Sequence, residues 1–257
     1  MRLRPKHINV TDAQSALDGW LLPPDIIELN DNELHVWQIK VDPKGSDDES
    51  LTALLSPDER QRAKQFRFDQ DRKLYTAAHA AMRSLLARYL RLPGGEIHLV
   101  SGAQGKPVIA RPIGSRLQFN LSHSHELALL AVAPGRAVGV DVELIRDFEF
   151  REVAESFFTA KEVANISALP HAVQREAFYK CWTSKEAFLK AKGTGLSGKL
   201  DEVELLGTTE GLVKIAASVL GWSLLDLPQV SGYAAAAVIA GAPLPVRCYR
   251  WEGALAR

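Results

Sequence analysis

"APGRAVGVDVELI", residues 133–145, decides how the chain is divided. Pro134 and Gly135 interrupt whatever precedes them, because proline fixes φ and lacks a donor while glycine accepts turn conformations. From Val138 onward the side chains alternate. Val138, Val140, Val142 and Leu144 fall on one face of a strand, and Gly139, Asp141 and Glu143 fall on the other. The valine face goes to a core. The two carboxylates stand side by side, and their repulsion is relieved either by water at a solvated sheet edge or by a divalent cation with a preference for oxygen.

The same order of elements is readable on both sides of the break. Upstream, "ELHVWQIKVD" (33–42) alternates as a strand, and "PKGSDDES" after it reads as a solvated acidic loop. "SPDERQRAKQF" (56–66) then opens a helix in which Ser56 caps, Pro57 takes the first position and Glu59 completes a capping box. A longer helix over 70–92 carries Leu74, Ala77, Ala78, Ala81, Leu85 and Leu86 at helical spacing and stops at "PGG". Short strands "EIHLV", "KPVIA", "LQFNLSHS" and "ELALLAVA" follow. Downstream come a second capping box at Thr159 and Glu162, a long helix over 171–192, and strands "DEVELL", "VKIAASVL" and "YAAAAVIA". These patterns predict an α+β fold of two pseudo-symmetric halves, 1–134 and 135–257, each a small, mainly antiparallel sheet packed on a long helix.

Composition narrows the function classes. At 257 residues, with 46% hydrophobic and 24% charged, the chain has enough apolar surface for a sizeable core and is not of the disordered class. The 31 basic and 31 acidic side chains cancel, so neither a nucleic-acid nor a membrane footprint is expected and any anion site must be local. The start of the chain lacks the apolar segment of a leader, and no window approaches the ~18 apolar residues of a spanning helix, so a cytoplasmic protein is expected. Cys181 and Cys248 lack metal-ligand spacing and read as reduced core thiols.

Several polar groups sit oddly in this frame. In "FYKCWTSKEAFLKAKGTGL" (178–196), Phe178, Cys181, Trp182, Ala187, Phe188 and Leu189 form a broad apolar face that Lys185, Glu186 and Lys190 do not fit. Glu186 and Lys190 are i, i+4 neighbours and could form a surface ion pair; Gly193 and Gly195 end the run, as helix punctuation or as a loop that closely approaches another group. In "FNLSHSHE", Ser122 and Ser124 share one face and His123 and His125 the other. The histidines lack a third ligand at zinc spacing, and an imidazole with a hydroxyl suits a phosphate better. The turn "GAQGKP" presents Lys106 to solvent or to an anion, and Arg60, Arg62 and Lys64 ride the first capped helix.

Together, "GKP" (105–107), "FNLSHS" (119–124), "GVDVE" (139–143) and "WTSKEAFLKAKGTGL" (182–196) resemble, in order and approximate spacing, the 4′-phosphopantetheinyl transferase superfamily, and within it the surfactin-synthetase-activating type. The resemblance spans about residues 56–200. It implies coenzyme A in a cleft between the halves and Mg²⁺-dependent transfer of phosphopantetheine to a serine of an acyl or peptidyl carrier protein, leaving 3′,5′-ADP. Asp141, Glu143 and Glu186 would be the metal ligands, Glu186 also the base, directly or through a metal-bound water, and Lys190 the pyrophosphate contact with Lys185 assisting. His123, Ser122 and Arg62 would meet the 3′-phosphate, while Gly105, Lys106 and Pro107 would line the nucleotide end. Members of this type are expected to be monomers. The chain departs from some members by carrying Glu59 where they have a basic residue, and a carboxylate does not bind phosphate. A catalytically inert binding homologue is the alternative reading.

Overall fold

The computed structural model describes residues 18–41, 49–102, 105–194, 200, 205–207, 213–215 and 221–251. Its elements run β1 (Leu34–Lys40), α1 (Glu49–Leu54), α2 (Pro57–Ala63), α3 (Asp69–Leu90), β2 (His98–Ser101), β3 (Pro107–Arg111), β4 (Leu117–Ser124), β5 (Leu127–Pro134) and β6 (Val138–Leu144). Then follow α4 (Arg151–Phe157), α5 (Ala160–Ser167), α6 (His171–Lys192), β7 (Leu205–Gly207), β8 (Val213–Ile215), β9 (Trp222–Leu225), β10 (Tyr233–Ala240) and β11 (Val246–Trp251). Gly195 and most of the expected strands over 201–206 and 213–220 lie outside the described residues.

Strand β5 shows why the halves cohere. Its odd and even side chains both meet apolar surface, so its sequence is a continuous apolar run and not an alternating one. Ala128, Leu130 and Val132 pack with Trp37 and Ile39 of β1 against α3, which supplies Leu74, Ala78, Ala81, Met82, Leu85 and Leu86. Leu127, Leu129, Ala131 and Ala133 point the other way, onto Val138, Val140 and Val142 of β6 and Ala237 and Ile239 of β10. Beyond these, α6 closes the far side with Phe178, Cys181, Phe188 and Leu189 against Ala236 and Val238. The result is helix, sheet, sheet, helix. Each fully buried leucine or valine contributes about 1.5–3 kcal/mol of transfer free energy, so this shared middle layer is a main bond between the halves.

The first sheet has the order β11-β1-β5-β4 and the second β6-β10-β9, with β2–β3 and β7–β8 as separate two-stranded pairs. Most pairings are antiparallel; β11 is the exception, lying parallel to β1 from Leu34↔Val246 to Ile39↔Trp251. Sequence patterning assigns residues 135–257 to one half and predicts no strand beyond residue 240. The chain's last described strand instead returns to the first half's sheet. Helices α1 and α4 and strand β9 were also not foreseen.

Helix ends follow the expected chemistry. Ser56 and Thr159 each cap a helix and complete a capping box with Glu59 and Glu162. Helix α6 runs over 171–192 as its periodicity predicts and ends on Gly193 at φ 70°, the left-handed conformation glycine adopts without strain. Both cysteines are free and buried, and burial pushes both thiols up, Cys248 to about 12.

Candidate active site

Strand β6 turns its valines to the middle core, which leaves Gly139, Asp141 and Glu143 facing α6. A Cβ at Gly139 would fall 2.0 Å from the Ala187 carbonyl oxygen and 2.4 Å from the Ala191 nitrogen. Only a residue without a side chain lets the helix lie this close. That approach sets the last turns of α6 over Asp141, and Lys190 Nζ sits 2.5 Å from Asp141 Oδ1 and 2.8 Å from Ser122 Oγ. The i, i+4 pairing of Lys190 with Glu186 is thus replaced by a bridge to another element.

Strand β4 fastens β6 through side chains. Asn120 Oδ1 accepts from the Val140 amide at 2.8 Å, Ser122 Oγ donates to Asp141 Oδ1 at 2.8 Å, and Ser124 Oγ donates to Glu143 Oε2 at 2.8 Å. Period-two spacing aligns these three polar groups on one face of β4, which is why "FNLSHS" alternates as it does.

The carboxylates are short of positive charge. Burial raises the pKa of Glu143, with Asp141 adding to it; burial raises Glu186 as well, and Asp141 and Glu143 add to that. Asp141 Oδ2 and Glu186 Oε1 are buried without a hydrogen-bond partner. An unsatisfied buried carboxylate oxygen is costly, so the donor set fits a hard cation such as Mg²⁺. Among the described residues, no three His, Cys, Asp or Glu side chains converge closely enough to hold a metal ion. Lys190 is the cation that meets Asp141 here.

His123 lies on the face of β4 opposite Ser122 and is exposed. Partial desolvation pulls its pKa below the ordinary value, with His79 and Lys190 adding to the effect. His79 was not foreseen. It stands on α3, stacked on Tyr75 with 3.9 Å between centroids, its Nδ1 3.1 Å from Glu59 Oε1. Arg83 Nε donates to Glu59 Oε2 at 2.6 Å. Although burial pushes Glu59 up, hydrogen bonds from His79, the Ser56 backbone and Arg83 bring it down to about 2. Glu59 is therefore a structural anchor of α2 on α3, and the side chains it gathers, His79 and Arg83, are on α3. A histidine and an arginine four residues apart in an otherwise alanine-rich helix was the signal. Arg62 is exposed on α2, close enough to influence Tyr75.

Two lysines are placed differently from expectation. Lys185 is fully buried on the side of α6 away from Asp141, with Nζ 2.7 Å from Glu162 Oε2 and 2.8 Å from the Leu200 carbonyl oxygen. Its ammonium is also 5.3 Å from the Phe158 ring centre. One position along a helix is about 100° of rotation, so the neighbour of Glu186 faces α5, and a coenzyme A contact by Lys185 is not supported. Lys106, between exposed Gly105 and half-buried Pro107, donates to the Val138 carbonyl at 2.8 Å instead of standing free for an anion.

Carboxylates short of cations, a lysine bridging to one of them and an imidazole nearby make a site suited to a polyanionic ligand handled with a metal ion. Two family models match the chain: the 4′-phosphopantetheinyl transferase superfamily over residues 137–238, and the N-terminal part of 4′-phosphopantetheinyl transferase over residues 37–135. The chain is 37% identical over 224 residues to the 4′-phosphopantetheinyl transferase HetI of a Nostoc species, covering 86% of this chain and 94% of that one. It is 35% identical over 161 residues to a phosphopantetheinyl transferase of a Thraustochytrium species, covering 57% of this chain and 55% of that protein. It is 34% identical over 161 residues to the human L-aminoadipate-semialdehyde dehydrogenase-phosphopantetheinyl transferase, covering 58% of this chain and 52% of the human one. The chain belongs to the 4′-phosphopantetheinyl transferase superfamily.

Proposed function

We propose that this protein transfers the 4′-phosphopantetheine group of coenzyme A to a serine hydroxyl of an acyl or peptidyl carrier protein, releasing 3′,5′-ADP. The observation that carries the reading is the convergence of Asp141, Glu186 and Lys190 where β6 and α6 meet, within a chain that matches HetI nearly end to end. Asp141, Glu143 and Glu186, which as placed do not form a three-ligand site, would have to turn together to hold Mg²⁺, whose charge would then help to neutralise the pyrophosphate. Lys190 would add its ammonium to the same phosphates, and Glu186 would take the proton of the attacking serine. Ser122 orients Asp141 and Lys190. His123 and Arg62 would receive the 3′-phosphate, with Gly105 and Pro107 lining the nucleotide end.

The finer assignment is to the surfactin-synthetase-activating type, a monomer with halves 1–134 and 135–257 in sequence, the last described strand of the second half crossing back to the sheet of the first. Support for the division is that two family models meet between residues 135 and 137 of one chain. Among the described residues no helix is long and apolar enough to cross a membrane.

Incubating the protein with coenzyme A, Mg²⁺ and an apo carrier should raise the carrier mass by one phosphopantetheine group. No change across several acyl and peptidyl carriers, with coenzyme A still bound, would establish the inert alternative. His123→Ala should raise the coenzyme A KM about 5- to 30-fold, the equivalent of one hydrogen bond of about 1–2 kcal/mol. Dephospho-coenzyme A, which lacks the 3′-phosphate, should show no such rise, and equal effects on both would remove His123 from that subsite.

A further inference from the structure

Lys106 is a half-buried cation whose partners are carbonyl groups of the other half. Its Nζ is 2.8 Å from the Val138 carbonyl oxygen, at the start of β6, and 3.5 Å from the Ala191 carbonyl oxygen, in the last turn of α6. Burial alone pulls it down to about 8, with no charged side chain contributing. Ala191 belongs to the final turn, the negative end of the helix dipole, where the Gly193 amide already meets the Leu189 and Lys190 carbonyls. A cation there is stabilised, and it caps the helix from outside.

The place is the tightest crossing in the site. Val138 precedes Gly139, and Gly139 is the residue against which Ala187 and Ala191 rest without room for a Cβ. Lys106 spans the two elements at that crossing. It is delivered there by the closed tip of the β2–β3 hairpin, where the Gly102 amide donates to the Lys106 carbonyl at 2.7 Å and Gly105 adopts φ +82°. The same turn of α6 carries Lys190, held on Asp141 and Ser122. Lys192, the other cation of this turn, lies over the Phe188 ring.

We propose that Lys106 is a positioning residue, a strut from the first half that fixes the last turn of α6 on β6 and so holds Glu186 and Lys190 in register with Asp141. This goes beyond the nucleotide-lining role that its motif implies, and only its kinetic consequence rests on the transferase reading. Lys106→Met keeps the apolar stem and removes the ammonium. Amide exchange over residues 187–193 should then quicken about tenfold, as expected for losing one charge-assisted hydrogen bond, while α3 keeps its protection. In the transfer assay kcat should fall by about the same factor, with the KM for coenzyme A changing less than about twofold. Coenzyme A and dephospho-coenzyme A should be affected equally, and Lys106→Arg should restore both exchange protection and kcat. Unchanged exchange over 187–193 in the methionine variant overturns the strut. So does a KM rise confined to coenzyme A with kcat intact, which would mark a direct contact with the 3′-phosphate. If the unaltered protein transfers nothing to any carrier, the functional reading fails while the exchange measurement still decides the strut.

Discussion

Asp141→Ala is expected to lower the rate of carrier modification by about 10³-fold or more, the scale on which charge-stabilising groups act in a water-poor site. Asp141 is 2% exposed and one of its oxygens carries Lys190 and Ser122, while the other is buried without a partner. Removing the carboxylate takes away an oxygen proposed for the metal and also the group that aims Lys190. It should cost the fold little, because the Lys190 side chain is 29% exposed and its ammonium can turn to water. Glu143 and Glu186 both lose the negative neighbour that helps to raise them. The measurement is a time course of carrier mass beside a thermal unfolding curve. Glu186→Ala should behave alike. Full transfer by either variant would sink the assignment of these carboxylates to the metal, and a collapsed unfolding transition would show that the residue serves the fold first.

What could be read in advance depended on the range of the interactions involved. The valine alternation of β6, the limits of α6 and the two capping boxes are set within a few residues, and the structure has them where local patterning puts them. Strand β11 is different. "VRCYRW" has a core residue in Cys248, but its place beside β1, some 200 residues away, is decided by the tertiary fold and not by any local signal. The role of Glu59 was equally hidden, since His79 and Arg83 reach it from another helix. Adjacent polar residues on a helix posed the same problem: Lys185 and Glu186 look equivalent in sequence, and which of them faces Asp141 depends on what waits across each face. Gly139 sets that orientation by letting α6 settle on β6, and Glu162 completes it from the other side.

The second large effect follows from that other side. Lys185→Met should destabilise the protein by about 3–5 kcal/mol, the usual cost of removing one member of a buried ion pair. The lysine is fully buried and Glu162 is 3% exposed, so the carboxylate left behind has little access to water. Glu162 would keep the Thr159 amide and hydroxyl, at 2.9 and 3.1 Å, which satisfy hydrogen bonding without supplying a counter-charge. Glu162→Gln should cost a similar amount by stranding the ammonium, although the Leu200 carbonyl and the Phe158 ring still face it. The double variant removes both charges while glutamine preserves the cap, so its loss should be smaller than the sum of the two single losses by about 2 kcal/mol or more. Urea unfolding of the four proteins gives that coupling directly. Additive losses would mean that the pair is not a unit. The folded fraction of Lys185→Met should keep an unaltered KM for coenzyme A, because its ammonium is turned from Asp141 toward α5. A raised KM with unchanged stability would instead return Lys185 to the cofactor site.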